Sequence, residues 1–188
     1  MLASRNEVLD TSKAREFVTM TFRIDRKVIE NFRKESDTSG ISINALVNQV
    51  LCHYVEWDIF GPKIGMLPFP KTVLGKIFSE LSEEQIIKLA SSVGKDTAID
   101  MAIFMKGRID VLDFISWIEA GMRNSGFEII HRVDNEKTIH TVTIKHDLGK
   151  HWSLYLRTML QSILVEFFKT EPEFIASDSM ILVSFNSS

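Results

Sequence analysis

The 188-residue chain has few of the residues that define several protein classes. A single cysteine, Cys52, excludes an internal disulfide framework and a multi-cysteine zinc site. Because there is no run of about 18 uncharged apolar residues, we expect no transmembrane helix. The first 17 residues carry scattered charges and lack the apolar stretch of a secretory signal peptide. Together these absences predict a cytoplasmic protein.

Proline is also scarce, and three of the four prolines lie in residues 58–71. Each proline disfavours helix at the preceding residue, so this stretch predicts a domain boundary. Its apolar residues favour a connector that packs on one of the domains over a solvated linker. The predicted organisation is a flexible N-terminal arm (1–16), a small domain (17–57), the connector (58–71) and a larger domain (72–188).

No charge of one sign dominates the chain, whose net charge is −3 and whose pI is about 6.0. That balance argues against nucleic-acid binding only if charge is evenly spread. Residues 13–34 contain seven basic and three acidic residues, a net charge of +4, which leaves −7 for the remainder. A dimer would present this basic window twice, in a way that suits a phosphate backbone.

Residues 18–25 alternate strictly between apolar and polar side chains, which predicts a half-buried strand. Asp25 can cap a helix that starts near Arg26 and ends near Gly40. Ser42 can cap a second helix, on which apolar residues recur with helical spacing from Ile43 to Val55. One strand and two helices cannot form a stable monomer core, so we expect two copies to pair their strands antiparallel and interlock their helices.

The segment TMTFRIDRKVIENF, the turn with Gly40 and the segment SINALVNQVL resemble the ribbon-helix-helix family of DNA-binding proteins, which includes the methionine, Arc and CopG-type repressors. The resemblance covers residues 17–57 and implies an intertwined dimer with paired strands in the major groove. It implies base contacts from Thr19, Thr21 and Arg23, the arginine suiting guanine. It also implies phosphate contacts at the first amides of the second helix, those of Ser42, Ile43 and Asn44.

Further phosphate contacts are predicted from Lys13, Arg15, Arg26 and Lys27 in the basic window. Two alternatives remain for this region. The polar residues of the strand are also typical of a plain solvated face, and a minority of the family binds a partner protein. For residues 1–12, a disordered tail with incidental charges is as compatible with the sequence as a DNA-contacting arm.

The larger domain is predicted to be α+β, with several helices and a small antiparallel sheet. A hairpin is expected from 127–133 and 138–146, with Val133 paired with Thr138, and a final strand over 180–185. A long helix carries one apolar stripe from Trp152 to Phe168. Four helices are predicted over 72–81, 83–93, 96–105 and 111–124, although 96–105 is also compatible with a buried strand.

In the predicted hairpin register His131 lies opposite His140, and His146 follows on the same strand face. Imidazoles across a hairpin can bind a transition metal or act as a pH-sensitive pair. No carboxylate or cysteine at ligand spacing completes such a set, so histidines satisfied in a core are the favoured interpretation, and no cofactor is predicted. Cys52 is likewise typical of a small core residue.

No GxSxG, P-loop, GxGxxG or HExxH motif occurs, so we do not expect an enzyme. The sequence predicts a nucleoid-associated, sequence-specific transcriptional regulator that binds double-stranded DNA as a homodimer or as a tetramer. The larger domain would assemble such dimers or sense an effector. The alternative is an antitoxin-like module whose C-terminal half binds a partner protein. Operator, effector, and repression or activation are left open.

Overall fold

The computed structural model describes residues 18–107, 109–134 and 138–186. The chain divides into two compact units between Pro62 and Lys63, a position within the predicted connector. The predicted N-terminal arm, with Lys13 and Arg15, lies outside the described residues, as does part of the predicted hairpin turn. None of the described helices is long and apolar enough to cross a membrane.

The first unit consists of two helices and a short continuation. Helix α1 spans Arg26–Ser39 and helix α2 spans Ile43–His53. A π-helical turn, Tyr54–Asp58, prolongs α2, and a 3-10 turn covers Gly61–Ile64 at the unit boundary. Asp25 caps α1, Gly40 ends it in the left-handed conformation, and Ser42 caps α2, so the predicted helix boundaries are confirmed.

The strand predicted from Val18 is absent from the structure. Residues 18–25 have no regular secondary structure, and every strand of the described residues lies between 128 and 186. The alternating pattern is a property of the sequence, but a strand also needs a neighbouring strand to bond with its backbone. No strand among the described residues pairs with this segment, so the ribbon-helix-helix arrangement is not part of the observed fold.

The second unit is α+β, as predicted. Its helices are α3 (Lys71–Glu80), α4 (Glu83–Leu89), α5 (Lys95–Lys106), α6 (Val111–Asn124) and α7 (Lys150–Ser162), with π-helical turns at Ala90–Gly94 and Ile163–Phe167. Its strands are β1 (Glu128–Asp134), β2 (Ile139–Lys145), β3 (Glu173–Ala176) and β4 (Met180–Asn186). The capping box of Ser82 with Gln85 and the Asp110 cap of α6 are confirmed.

The four strands form one antiparallel sheet in the order β1-β2-β4-β3. The predicted hairpin register is wrong by two residues, because Val133 pairs with His140 and His131 pairs with Val142. A shift of two keeps every side chain on its predicted face, so the apolar pattern alone could not distinguish the two registers. Strand β3 was not predicted, and residues 96–105 are helical.

One face of the sheet, called the inner face here, packs on α6 and α7. Its alternate residues, including Ile144, Ile181 and Val183, are buried with Phe114 of α6 and Leu160 of α7. All residues of this core belong to the second unit. The first unit differs sharply, since Ser36 is its one buried residue among those described.

Candidate nucleic-acid interface

The N-terminal segment, residues 18–25, leaves both of its alternating sets in solvent. Thr19, Thr21 and Arg23 are exposed, and so are the apolar residues between them. The apolar set is 46–79% exposed: Val18, Met20, Phe22 and Ile24. The described part of the chain therefore does not cover the apolar side chains of this segment.

The same exposure continues onto the two helices that follow. Ile29 and Phe32 of α1 and Leu46 and Val47 of α2 are only half-buried. Further apolar side chains on these helices and the π-helical turn are exposed: Val28, Val50, Leu51, Tyr54 and Val55. Apolar surface exposed to this extent is typical of a site that binds another protein, a membrane or a ligand. Cys52 is exposed as well, contrary to its predicted place in a core.

Basic side chains gather at the start of α1. The Asp25 carboxylate accepts a hydrogen bond from the amide of Lys27 over 2.8 Å and thereby fixes where the helix begins. Arg26 and Lys27 are exposed on the first turn, and Arg26 makes a long, solvent-exposed ion pair of 3.8 Å with Glu30. Such a pair holds little energy, so the guanidinium can exchange it for a phosphate.

The turn between the helices is fixed by hydrogen bonds. The Ser36 hydroxyl donates to the carbonyl of Ile41, and the amide of Ile41 donates back to the carbonyl of Ser36 over 3.2 Å. The Ser42 hydroxyl accepts from the amide of Ala45 over 3.2 Å. The amides of Ile43 and Asn44, the first two of α2, have no acceptor within a helix, which suits them to bind an anion.

Comparisons of the chain with protein-family models, curated proteins and solved structures gave no match. The likeness of residues 17–57 to ribbon-helix-helix proteins therefore remains a prediction from the sequence. Any function must be argued from the side chains and amides described above.

The histidines predicted to share one strand face are divided between two places. Nε2 of His131 lies 3.0 Å from Nδ1 of His140, and Nδ1 of His131 lies 2.8 Å from Oε1 of Glu119. Burial lowers the pKa of His140, and the neighbouring His131 lowers it further. Glu119 was missed at the sequence level because it comes from α6, and no local pattern links α6 to this hairpin.

His146 does not join this pair. It is buried where β2 leads into α7, and its Nε2 lies 2.9 Å from the Ser153 hydroxyl. That hydroxyl donates its own proton to the carbonyl of Ser177. Nε2 of His146 is therefore protonated and donates to the serine oxygen, whereas Nδ1 accepts from the amide of Leu148 over 3.4 Å. Both ring nitrogens of His146 thus have hydrogen-bond partners within the protein. Within the described residues, no group of three or more His, Cys, Asp or Glu side chains is arranged to hold a metal ion.

Proposed function

We propose that the protein is a sequence-specific DNA-binding regulator whose first unit works as a dimer. The observation that carries this proposal is the N-terminal segment, whose alternating apolar and polar side chains are all exposed immediately before two capped helices. In a second copy the same segment would be its natural partner, because an antiparallel ribbon would cover both apolar faces and satisfy both backbones. The half-buried faces of α1 and α2 would complete a shared core.

In such a dimer the polar faces would lie side by side on a two-stranded ribbon. Thr19, Thr21 and Arg23 of each copy would face the major groove, where an arginine can hold O6 and N7 of a guanine and a threonine can contact several bases. The amides of Ile43 and Asn44, together with Arg26 and Lys27, would position the ribbon on the phosphates. The exposure of Arg26 and Lys27, and the weak ion pair of Arg26, support this role.

The second unit also bears on the choice between the regulator and the antitoxin-like module. It has its own core, unlike a segment that folds only on a partner, which favours the regulator over the antitoxin-like alternative. Limited proteolysis of the free protein distinguishes these two functions. We expect residues 72–188 to resist digestion, whereas their rapid loss would favour the antitoxin-like module.

Selection from a random double-stranded DNA library with the full chain tests the proposal. We expect enrichment of a palindromic or repeated site, as a two-fold symmetric reader requires, and an affinity that falls steeply with salt. Recovery of no preferred sequence, or binding unaffected by salt, would overturn it. A suitable control is Lys88→Glu, which removes an exposed lysine of α4 in the second unit and should leave the selected site unchanged.

A further inference from the structure

The sheet of the second unit has an inner face that packs on helices and an outer face whose side chains stay at least partly exposed. The strand register arranges the outer side chains in rows that run across all four strands. One row is apolar apart from a threonine and consists of Ile130, Thr143, Leu182 and Ile175. Ile175 is 62% exposed, so the row ends in an apolar side chain that the single chain leaves uncovered.

The adjacent row carries opposite charges at its two ends. Arg132 on β1 and Glu173 on β3 occupy the edges, and Thr141 and Ser184 lie between them with their hydroxyls 3.2 Å apart. Three strand spacings of about 4.8 Å separate the end strands, which holds the backbones of Arg132 and Glu173 about 14 Å apart. Within the described residues, neither of these two side chains makes a hydrogen bond or an ion pair.

We propose that the outer face binds the outer face of a second copy of this chain, about a two-fold axis parallel to the strands. That rotation reverses the strand order, so β1 of one copy faces β3 of the other. Arg132 would then meet Glu173 of the other copy twice, and the two apolar rows would lie against each other, with Ile130 facing Ile175. Within these two rows the pattern is self-complementary, which is what an isologous contact requires.

The size of the face sets the strength of the contact. Four strands of up to seven residues cover about 19 by 24 Å, so two faces would bury about 900 Å² in total. That area lies below the range of stable interfaces, and the contact is therefore weak between free monomers. It becomes effective when two copies from different dimers are held close together, as on adjacent DNA half-sites, because this raises their effective concentration.

This inference goes beyond the proposed function and does not depend on it. If the first unit also dimerises, the sheet contact joins two dimers into a tetramer that can occupy adjacent DNA half-sites. If the first unit does not dimerise, the sheet contact still forms a weak dimer.

Sedimentation equilibrium of the full chain with charge-swapped variants tests the contact. We expect Arg132→Glu and Glu173→Arg each to weaken self-association at least tenfold, because each places like charges opposite one another twice. The double variant should recover most of the loss, since it restores the pairs in reverse. Ile175→Lys should also weaken association, and thermal unfolding of each variant verifies that it is folded.

A double swap in α4, Glu84→Arg with Lys88→Glu, is the matched control and should leave association unchanged. All variants are also measured with Phe22→Glu added, which removes the apolar face of the N-terminal segment and isolates the sheet contact from dimerisation through the first unit. Single reversals without effect in both backgrounds, or a double variant as weak as the singles, would overturn the sheet contact. A Phe22→Glu variant with the mass of the unmodified chain would instead count against the proposed dimer of the first unit.

Discussion

The ring of Tyr155 lies directly against the backbone of Gly94, so that a Cβ placed on the glycine would be 2.6 Å from the tyrosine hydroxyl and 3.0 Å from Cζ. Gly94 is buried, with ordinary helical angles of −62° and −47°. Glycine therefore suits this position because it leaves room for the tyrosine ring, and not because it adopts a special backbone conformation. The tyrosine cannot easily move away, because it stacks on Trp152 at 5.2 Å and meets the edge of Phe78 at 5.3 Å.

We expect Gly94→Ala to destabilise the second unit. The clash in a packed core costs about 1–3 kcal/mol, which outweighs the gain of about 1 kcal/mol from replacing a helical glycine by alanine. Tyr155→Phe removes the nearest atom but leaves Cζ, so it should recover part of the loss. A double-mutant cycle from urea unfolding measures this coupling, and strictly additive effects would show that the tyrosine is not the obstacle.

Stability should fall at mildly acidic pH because of two buried histidines. Burial lowers the pKa of His146 and of His140, so the unfolded chain takes up protons more readily than the folded one. The two histidines make their full contribution to the free energy of unfolding above the pKa of about 6.5 that histidine has in the unfolded chain. This contribution is lost as the pH falls toward the lowered pKa values of the folded state. Each histidine adds a slope of at most about 1.4 kcal/mol per pH unit.

His146→Gln keeps a donor for Ser153 and removes the titration, so its free energy of unfolding should depend less on pH below 6.5. Urea unfolding at several pH values, with histidine proton shifts followed by NMR, measures both quantities. An unchanged slope in the variant would mean that other groups govern the acid sensitivity.

Local chemistry made the caps and most helices of this protein predictable. Asp25, Ser42 and Ser82 each sit directly before a helix and bond to an amide two or three residues on, which can be inferred from a few neighbouring residues. The predictions that were wrong or missing concerned contacts between residues far apart in the sequence. The predicted hairpin register was wrong by two residues because apolar alternation repeats every two residues. Strand β3 was not predicted because it is a four-residue edge strand with little pattern of its own. The contact of Glu119 with His131 needs the tertiary fold.

The alternation of the N-terminal segment predicts opposite outcomes for two neighbouring substitutions. Phe22→Glu places a charge on the apolar face and should convert the first-unit dimer to monomers. Thr21→Glu places the same charge on the polar face, so dimerisation should persist while DNA binding is lost through repulsion by phosphate. Light scattering and fluorescence anisotropy with the selected site measure the two effects. If both variants lost dimerisation equally, the two faces would have no separate roles.

Arg23 should supply sequence preference as well as affinity. A bidentate contact to guanine is worth about 1–3 kcal/mol, so Arg23→Ala should weaken binding to the selected site by this amount and relax the preference at one base pair of each half-site. Lys27→Ala is the comparison, since loss of a phosphate contact should weaken all sequences about equally. Competition binding against single-base variants of the site measures both affinity and base preference. An unchanged preference in Arg23→Ala would mean that another residue reads this base pair.

The amide of Ile43 can be tested directly because proline is tolerated at the first position of a helix. Ser42, the preceding residue, has ψ of 150°, the extended conformation that a following proline requires. Ile43→Pro therefore removes the N–H without breaking α2, and its side-chain loss is matched by Ile43→Ala, which keeps the N–H. If this amide binds a phosphate, the proline variant should bind all DNA sequences more weakly than the alanine variant, by about 1.5–3 kcal/mol. Equal affinities of the two variants would show that the start of α2 does not hold a phosphate.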